Sequence, residues 1–228
     1  MHAVRRYVLV AATALVALLV LGTGLVRHEP ALLAGVATHA DGTAERLAAR
    51  MVTNASAFHA AIGREGPWDA VFTADEVNAW LAFDLPRNHR SLLPSGVAAP
   101  RVRFRPRHVT VGARLGYGLL AALAWADFEV ELRDTGQLRI TPAAAGLGAV
   151  PLPGDFAVRE LARGIGALGL PAELRRIDGR LVLSIAIPAA AAGACRLESL
   201  RIDDGEMLLT GETRPSAAMS RAAAEIEK

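Results

Sequence analysis

The sequence predicts an α+β fold: an N-terminal transmembrane helix, short helices, and then a curved antiparallel sheet with one inserted helix. Three observations predict it. The chain opens with an apolar run without a charge at residues 7–26. Apolar residues then recur at helical spacing, and from residue 100 the period changes to two, which is typical of strands. One further segment with helical spacing interrupts the alternating strands.

The apolar run, "YVLVAATALVALLVLGTGLV", is long enough to cross a bilayer, because at roughly 1.5 Å per residue it spans about 30 Å. Arg5 and Arg6 precede the run and Arg27 follows it, a bias that predicts a cytoplasmic tail at residues 1–6 and export of the rest. A cleaved signal peptide is the alternative. Its apolar region would be shorter, and only Gly22–Gly24 approaches a cleavage site, so the sequence favours an uncleaved anchor.

The 228 residues with 52% hydrophobic content are enough for one sizeable core. We expect a juxtamembrane linker at 27–40, an extracytoplasmic domain at 41–213 and a C-terminal tail at 214–228. The exported part is formally neutral, since its 23 acidic residues meet 23 basic ones (25 less Arg5 and Arg6). This balance gives no electrostatic support to nucleic-acid binding.

The first elements of the domain are predicted to be helical. An amphipathic helix is indicated by apolar residues three and four positions apart, at Leu47, Met51, Ala55, Phe58 and Ile62. The "GPW" at 66–68 is expected to end it.

The stretch "FTADEVNAWLAFDLP" at 72–86 contains the signature of a helix start. The Thr73 hydroxyl can accept the amide of Glu76, while the Glu76 carboxylate reaches back to the Thr73 amide, which makes a capping box. Asp75 and Glu76 both favour the positive end of the helix, and Pro86 is expected to stop it. The alternative, a pair of hydrolase carboxylates, would need a second acid across a cleft.

Alternating patterns then predict strands around residues 101–105, 109–117 and 127–140, the last folded by the turn at 134–136. A helix capped by Asp155 follows, with an apolar seam that ends at Leu168. Two hairpins complete the sheet, with turns at Asp178-Gly179 and Asp204-Gly205.

Motifs that carry catalytic or metal chemistry do not occur in the sequence. The six histidines are scattered without ligand spacing, and Cys195 is the only cysteine. There is no glycine-rich phosphate loop and no G-x-S-x-G motif. We therefore predict no metal, no cofactor and no catalytic residue, and any enzyme here would use carboxylates that the fold brings together.

Both faces of the alternating pattern are apolar from Leu119 to Ala126, so a second layer must cover one of them. Either the Asp155–Leu168 helix or the N-terminal helices pack there, or the face lines a groove for an acyl chain. In the second case the lipid-binding residues are Leu119, Leu123 and Trp125.

Arg101, Arg103 and Arg105 share one face of a strand, and Arg107 follows just past Pro106. Such a stripe is typical of a solvated face or of an edge strand protected against aggregation. Alternatively, the three arginines bind anionic lipid headgroups or an anionic envelope polymer.

After the anchor, the segments "FTADEVNAWLAFDLP", "LLPSGVAAPRVRF" and "LESLRIDDGEMLLTGE" resemble a family of uncharacterised bacterial single-pass membrane proteins with an extracytoplasmic α+β domain. The resemblance covers most of residues 70–213. More distantly, the arrangement resembles the tubular lipid-binding (TULIP-like) class, which implies a curved sheet around an apolar channel.

Three functions follow as hypotheses. The first is a non-enzymatic, membrane-anchored extracytoplasmic domain that binds a lipid or another apolar envelope component. The second is an envelope scaffold that docks on a partner protein through a sheet edge or the arginine stripe. The third is an envelope hydrolase that uses Asp75 or Glu76.

Overall fold

The computed structural model describes residues 29–33, 42–118, 121–133, 137–167, 169–186 and 193–215. Over these residues the chain has the predicted α+β architecture, with helices and a large antiparallel sheet. The transmembrane helix predicted at 7–26 lies outside the described residues. None of the helices described has both the length and the apolar character needed to cross a membrane.

The helices of the described residues are α1 (Gly42–Ile62), α2 (Ala74–Ala79), α3 (Leu85–Asn88) and α4 (Gly154–Ala167). A π-helical turn, Trp80–Asp84, joins α2 to α3. The prediction that Pro86 ends this helix was wrong by a few residues. Pro86 lies in the first turn of α3, where a proline is tolerated because no helical hydrogen bond needs its amide.

In the described parts of the chain, ten antiparallel strands form two sheets. They are β1 (Gly66–Thr73), β2 (Val97–Arg105), β3 (His108–Leu115), β4 (Ala122–Leu132), β5 (Gln137–Leu147), β6 (Val150–Pro151), β7 (Ala172–Ile177), β8 (Arg180–Ala186), β9 (Gly193–Ile202) and β10 (Glu206–Pro215). The larger sheet has the order β2-β3-β4-β5-β8-β7, with β6 paired to β5, and the smaller has the order β1-β10-β9. The predicted hairpins β7–β8 and β9–β10 are confirmed.

The structure has a second, smaller sheet that the sequence did not predict, and "GPW" follows the end of α1, as expected, but also begins a strand. These residues begin β1, in which Trp68, Ala70 and Phe72 are buried and the residues between them are not. β1 pairs along its whole length with β10, a strand from the far end of the chain. The small sheet therefore joins the two ends of the domain.

Two clusters of apolar side chains pack against one face of the large sheet. α4 packs across β5, β8 and β7, where Val158 and Leu183 are fully buried. α2 and the β9–β10 hairpin pack near β2, around Val102, Phe104 and Ile202. This face is the core, so the opposite face of β2, β3 and β4 is the one that carries the arginine stripe.

Asn78 of α2 closes the edge of the large sheet. Its side-chain amide donates to the carbonyl of Val102 at 2.8 Å and its side-chain oxygen accepts the Val102 amide at 2.8 Å. Both groups are buried, so the side chain replaces the neighbouring strand that β2 lacks.

Asn78→Ala should lower the free energy of unfolding by about 2–4 kcal/mol, because it leaves a buried amide and a buried carbonyl without partners. Urea unfolding of the full chain measures the change. Asn88→Ala is the matched control, since it removes one exposed hydrogen bond, to Asp84, from the same helical stretch. A loss for Asn78→Ala no larger than that of Asn88→Ala would contradict this role.

Candidate functional site

The arginine face is the side of the large sheet that carries Arg101, Arg103 and Arg105 of β2. Directly opposite residues of an antiparallel sheet share a face, so the register extends it across the neighbouring strands. It then includes Gly112, Thr110 and His108 on β3, and Trp125, Asp127 and Glu129 on β4. Leu123, opposite Arg114, lies on the same face.

Residues 29–33, which follow the predicted anchor closely, lie on this face. Arg101 Nη1 donates to Glu29 Oε1 at 2.5 Å, and Arg103 Nη1 makes weak contacts with the carbonyl oxygens of Ala31 and Leu32. Leu33 is fully buried. It occupies the place above Gly112, where a Cβ atom would collide with Leu33 Cδ1. Gly112 therefore leaves the space that the Leu33 side chain occupies.

The third arginine is neutralised within the sheet. Asp127, whose side chain is only 5% exposed, accepts from Arg105 Nη2 at 2.9 Å. Its carboxylate also accepts the Thr110 hydroxyl at 2.6 Å and lies 3.0 Å from His108 Nδ1. Arg105 Nε is buried without a hydrogen-bond partner among the described residues. Three side chains thus converge on one buried carboxylate.

An Asp–His pair can act as a general base, but in the described residues the other groups of a catalytic site are not assembled around Asp127 and His108. The Thr110 hydroxyl donates to Asp127 and so is not presented to His108 as a nucleophile. Across the described parts of the chain, no three His, Cys, Asp or Glu side chains are arranged to hold a metal ion. The cluster is suited to neutralising and fixing charge on the sheet face.

A cavity of about 280 Å³ opens at the end of this face, beside the turn that connects β3 to β4. It is lined by Arg114, Gly118, Ala121, Ala122 and Leu123. One cationic group therefore stands next to an apolar wall. Arg114 is exposed and forms no ion pair with any residue that the structure describes.

The structure brings the two predicted sets of site residues onto one face. Leu123 is buried and lines the cavity. The Trp125 indole lies over Gly146, and its N–H donates to the carbonyl of Gly148 at 2.8 Å. Leu119 lies outside the described residues. Leu33 lies on the same face, since it packs on Gly112, which pairs with Trp125.

Glu76, one of the two candidate acids of a hydrolase, has a structural role. The Thr73 hydroxyl accepts the Glu76 amide at 3.2 Å, as predicted, but the reciprocal arm of the capping box is not formed. The Glu76 carboxylate is buried and instead binds Asn54 Nδ2 at 3.2 Å and Arg50 Nε at 3.1 Å on α1. Asp75 is exposed. Charge attraction to Arg50 overrides the local cap, and Glu76 fastens α1 to α2.

The sequence reasoning missed Leu33, Gly112 and Asp127 as parts of the site. Gly112 carried a signal, because a glycine inside an alternating strand often marks a close approach by another group. Asp127 stands at a polar position of an alternating strand pattern, which does not indicate burial. The sequence around Leu33 does not indicate its burial, because Gly112, on which it packs, lies far along the chain.

Asp127→Asn should lower the free energy of unfolding by about 2–3 kcal/mol, because the partly buried Arg105 guanidinium loses its counter-charge. The matched control is Glu129→Gln on the same face of β4, whose ion pair with Arg107 is more exposed. We expect the control to change stability by no more than about 0.5 kcal/mol. Equal effects in urea unfolding would show that Asp127 does not neutralise a buried charge.

No protein-family model, curated protein or solved structure matches the chain. The resemblance to a membrane-anchored family stays a prediction, and the geometry of the arginine face and its cavity carries the functional argument.

Proposed function

We propose that the chain is a membrane-anchored extracytoplasmic domain without enzymatic activity, which binds an anionic lipid at the cavity beside the β3–β4 turn. In this proposal residues 7–26 form the transmembrane helix, and Arg5 and Arg6 keep residues 1–6 in the cytoplasm.

The observation that carries the proposal is the attachment of Glu29–Leu33 to the arginine face. Only Arg27 and His28 separate Glu29 from the end of the apolar run. Three residue steps reach at most about 10 Å. A helix in the bilayer would therefore hold the domain against the membrane, with no long linker to let it move away.

The cavity supports a lipid as the ligand. The Arg114 guanidinium can pair with a phosphate through charge-assisted hydrogen bonds, while Ala122 and Leu123 supply an apolar wall. A volume of about 280 Å³ lies just under the range of roughly 300–1,000 Å³ that encloses small ligands. We therefore infer that the site takes the headgroup and the first part of a chain, with the remainder of the lipid outside.

The competing scaffold hypothesis has less support on the arginine face, because a partner there would have to displace residues of the same chain. Glu29, Asp127 and the carbonyls at 31–32 already contact the three guanidiniums. The hydrolase hypothesis loses Glu76 as a candidate, since its carboxylate binds Arg50 and Asn54.

Reporter fusions after Lys228 test the topology. A reporter that is active only outside the cytoplasm should be active, and one that is active only in the cytoplasm should be silent, because the two N-terminal arginines outweigh Arg27. Cytoplasmic activity at the C-terminus would overturn the proposed function.

Native mass spectrometry of the full chain in detergent, titrated with phosphatidylglycerol, tests the cavity. Arg114→Gln should weaken binding roughly tenfold, as expected when a charged hydrogen bond worth about 1.5–3 kcal/mol is lost. Arg180→Gln is the control. It removes the charge of an exposed arginine at the β7–β8 turn and leaves the anchor unchanged. Equal affinities for the two variants would remove the cavity from the proposal.

A further inference from the structure

One end of the large sheet carries several exposed apolar side chains. The register brings together the start of β2, the end of β3 and the start of β4, since Val97 pairs with Leu115 and Leu115 with Ala122. The end of β5 is there too, because Leu147 pairs with Ala124. We name this end of the sheet the tip.

The exposed apolar side chains of the tip come from three separate segments. They are Leu92 (57% exposed) before β2, Leu115 (39%) and Tyr117 (75%) at the end of β3, and Val150 (40%) at the start of β6. Single exposed apolar residues are common, but a group contributed by separate segments at one end marks an interaction surface.

Residues 29–33 lie close to this end of the sheet. Glu29 contacts Arg101, and Leu33 packs on Gly112, which pairs with Arg101. From Gly112, opposite Arg101, to Tyr117 the distance along an extended chain is about 16 Å.

The stretch of chain that forms most of the tip carries basic residues and no acidic ones. No Asp or Glu occurs anywhere between Asp84 and Asp127, a stretch that includes the loop before β2 and the whole β3–β4 connection. Arg90 and Arg114 are exposed, and neither has an acidic partner among the described residues. Such a surface attracts a negatively charged partner, and a bilayer with anionic lipids combines that charge with an apolar interior.

We propose that the tip is a membrane-contact surface, with Tyr117 and Leu115 inserted at the level of the lipid headgroups and Arg90 and Arg114 against the phosphates. Tyrosine favours this region because its ring is apolar and its hydroxyl can stay hydrated. The inference rests on the proposed function, since the anchor brings the bilayer within reach. It adds an orientation, in which the β3–β4 end faces the lipid and the β7 edge faces away.

The full chain, reconstituted into vesicles of phosphatidylcholine and phosphatidylglycerol, tests the orientation. Tyr117→Cys and Leu115→Cys are made in a Cys195→Ala background and labelled with an environment-sensitive fluorophore. Leu174→Cys is the matched control, because Leu174 is 39% exposed like Leu115 but lies on β7. It is opposite Leu183, which pairs with Ile140, about 23 Å along β5 from the tip.

Lipids with a quencher near the headgroup should reduce the emission at 117 and 115 at least twofold, and leave the emission at 174 nearly unchanged. Arg90→Gln with Arg114→Gln should weaken the quenching at 117 in anionic vesicles. Equal quenching at 117 and 174, or none at either in vesicles that carry the protein through a flotation gradient, would overturn the inference while leaving the anchor intact.

Failure of the chain to float with vesicles after a high-salt wash would instead overturn the proposed function itself. Protection of the 117 label in cell membranes but not in protein-free vesicles would show that the tip binds a protein, and this outcome also overturns the inference.

Discussion

Repulsion among Arg101, Arg103 and Arg105 is the constraint on which the arrangement of this face depends. A strand places alternate side chains on one face about 7 Å apart, and two unit charges at that distance repel by about 2 kcal/mol at an effective dielectric constant of 20. Each guanidinium meets a different source of negative charge: a carboxylate at the N-terminal end of the domain, backbone carbonyls, and a buried aspartate. Two of the three guanidiniums therefore have partners in residues 29–33.

The same residues protect an edge strand. β2 ends the large sheet, and an edge with free amides and carbonyls is open to association with other chains. Asn78 occupies its backbone groups from one side, and the segment from Glu29 to Leu33 covers its side chains on the arginine face. In the proposed function this attachment has a second consequence, because a domain bound to the start of its own chain is held at one orientation to the bilayer.

Local chemistry made much of the fold predictable. Alternating residues and Asp-Gly turns specified β7–β8 and β9–β10, and helical spacing specified α1 and α4. β1 also has an alternating pattern, at Trp68, Ala70 and Phe72, but the turn-forming residues at its start favoured a helix end over a strand. Its partner, β10, could not be inferred from sequence, because the pairing of strands far apart in the chain depends on the packing of the whole domain.

The site was less predictable for the same reason. Arg101, Arg103, Leu123 and Trp125 were identified from their strands, yet their common face follows only from the register of β2, β3 and β4. Glu76 shows that a local rule can yield to a tertiary contact, since its carboxylate binds Arg50 instead of completing the capping box. Leu33 becomes recognisable only when Gly112 is placed beneath it.

Unfolding of Leu33→Ala, followed by tryptophan fluorescence in urea on the full chain in detergent, tests the attachment of residues 29–33 most directly. A fully buried leucine seated on Gly112 should cost about 2–5 kcal/mol when truncated. Leu92→Ala, at a side chain that is 57% exposed, should change stability by no more than about 0.5 kcal/mol. If Leu33→Ala is as stable as Leu92→Ala, the segment is a free linker and the domain is not fixed to its anchor.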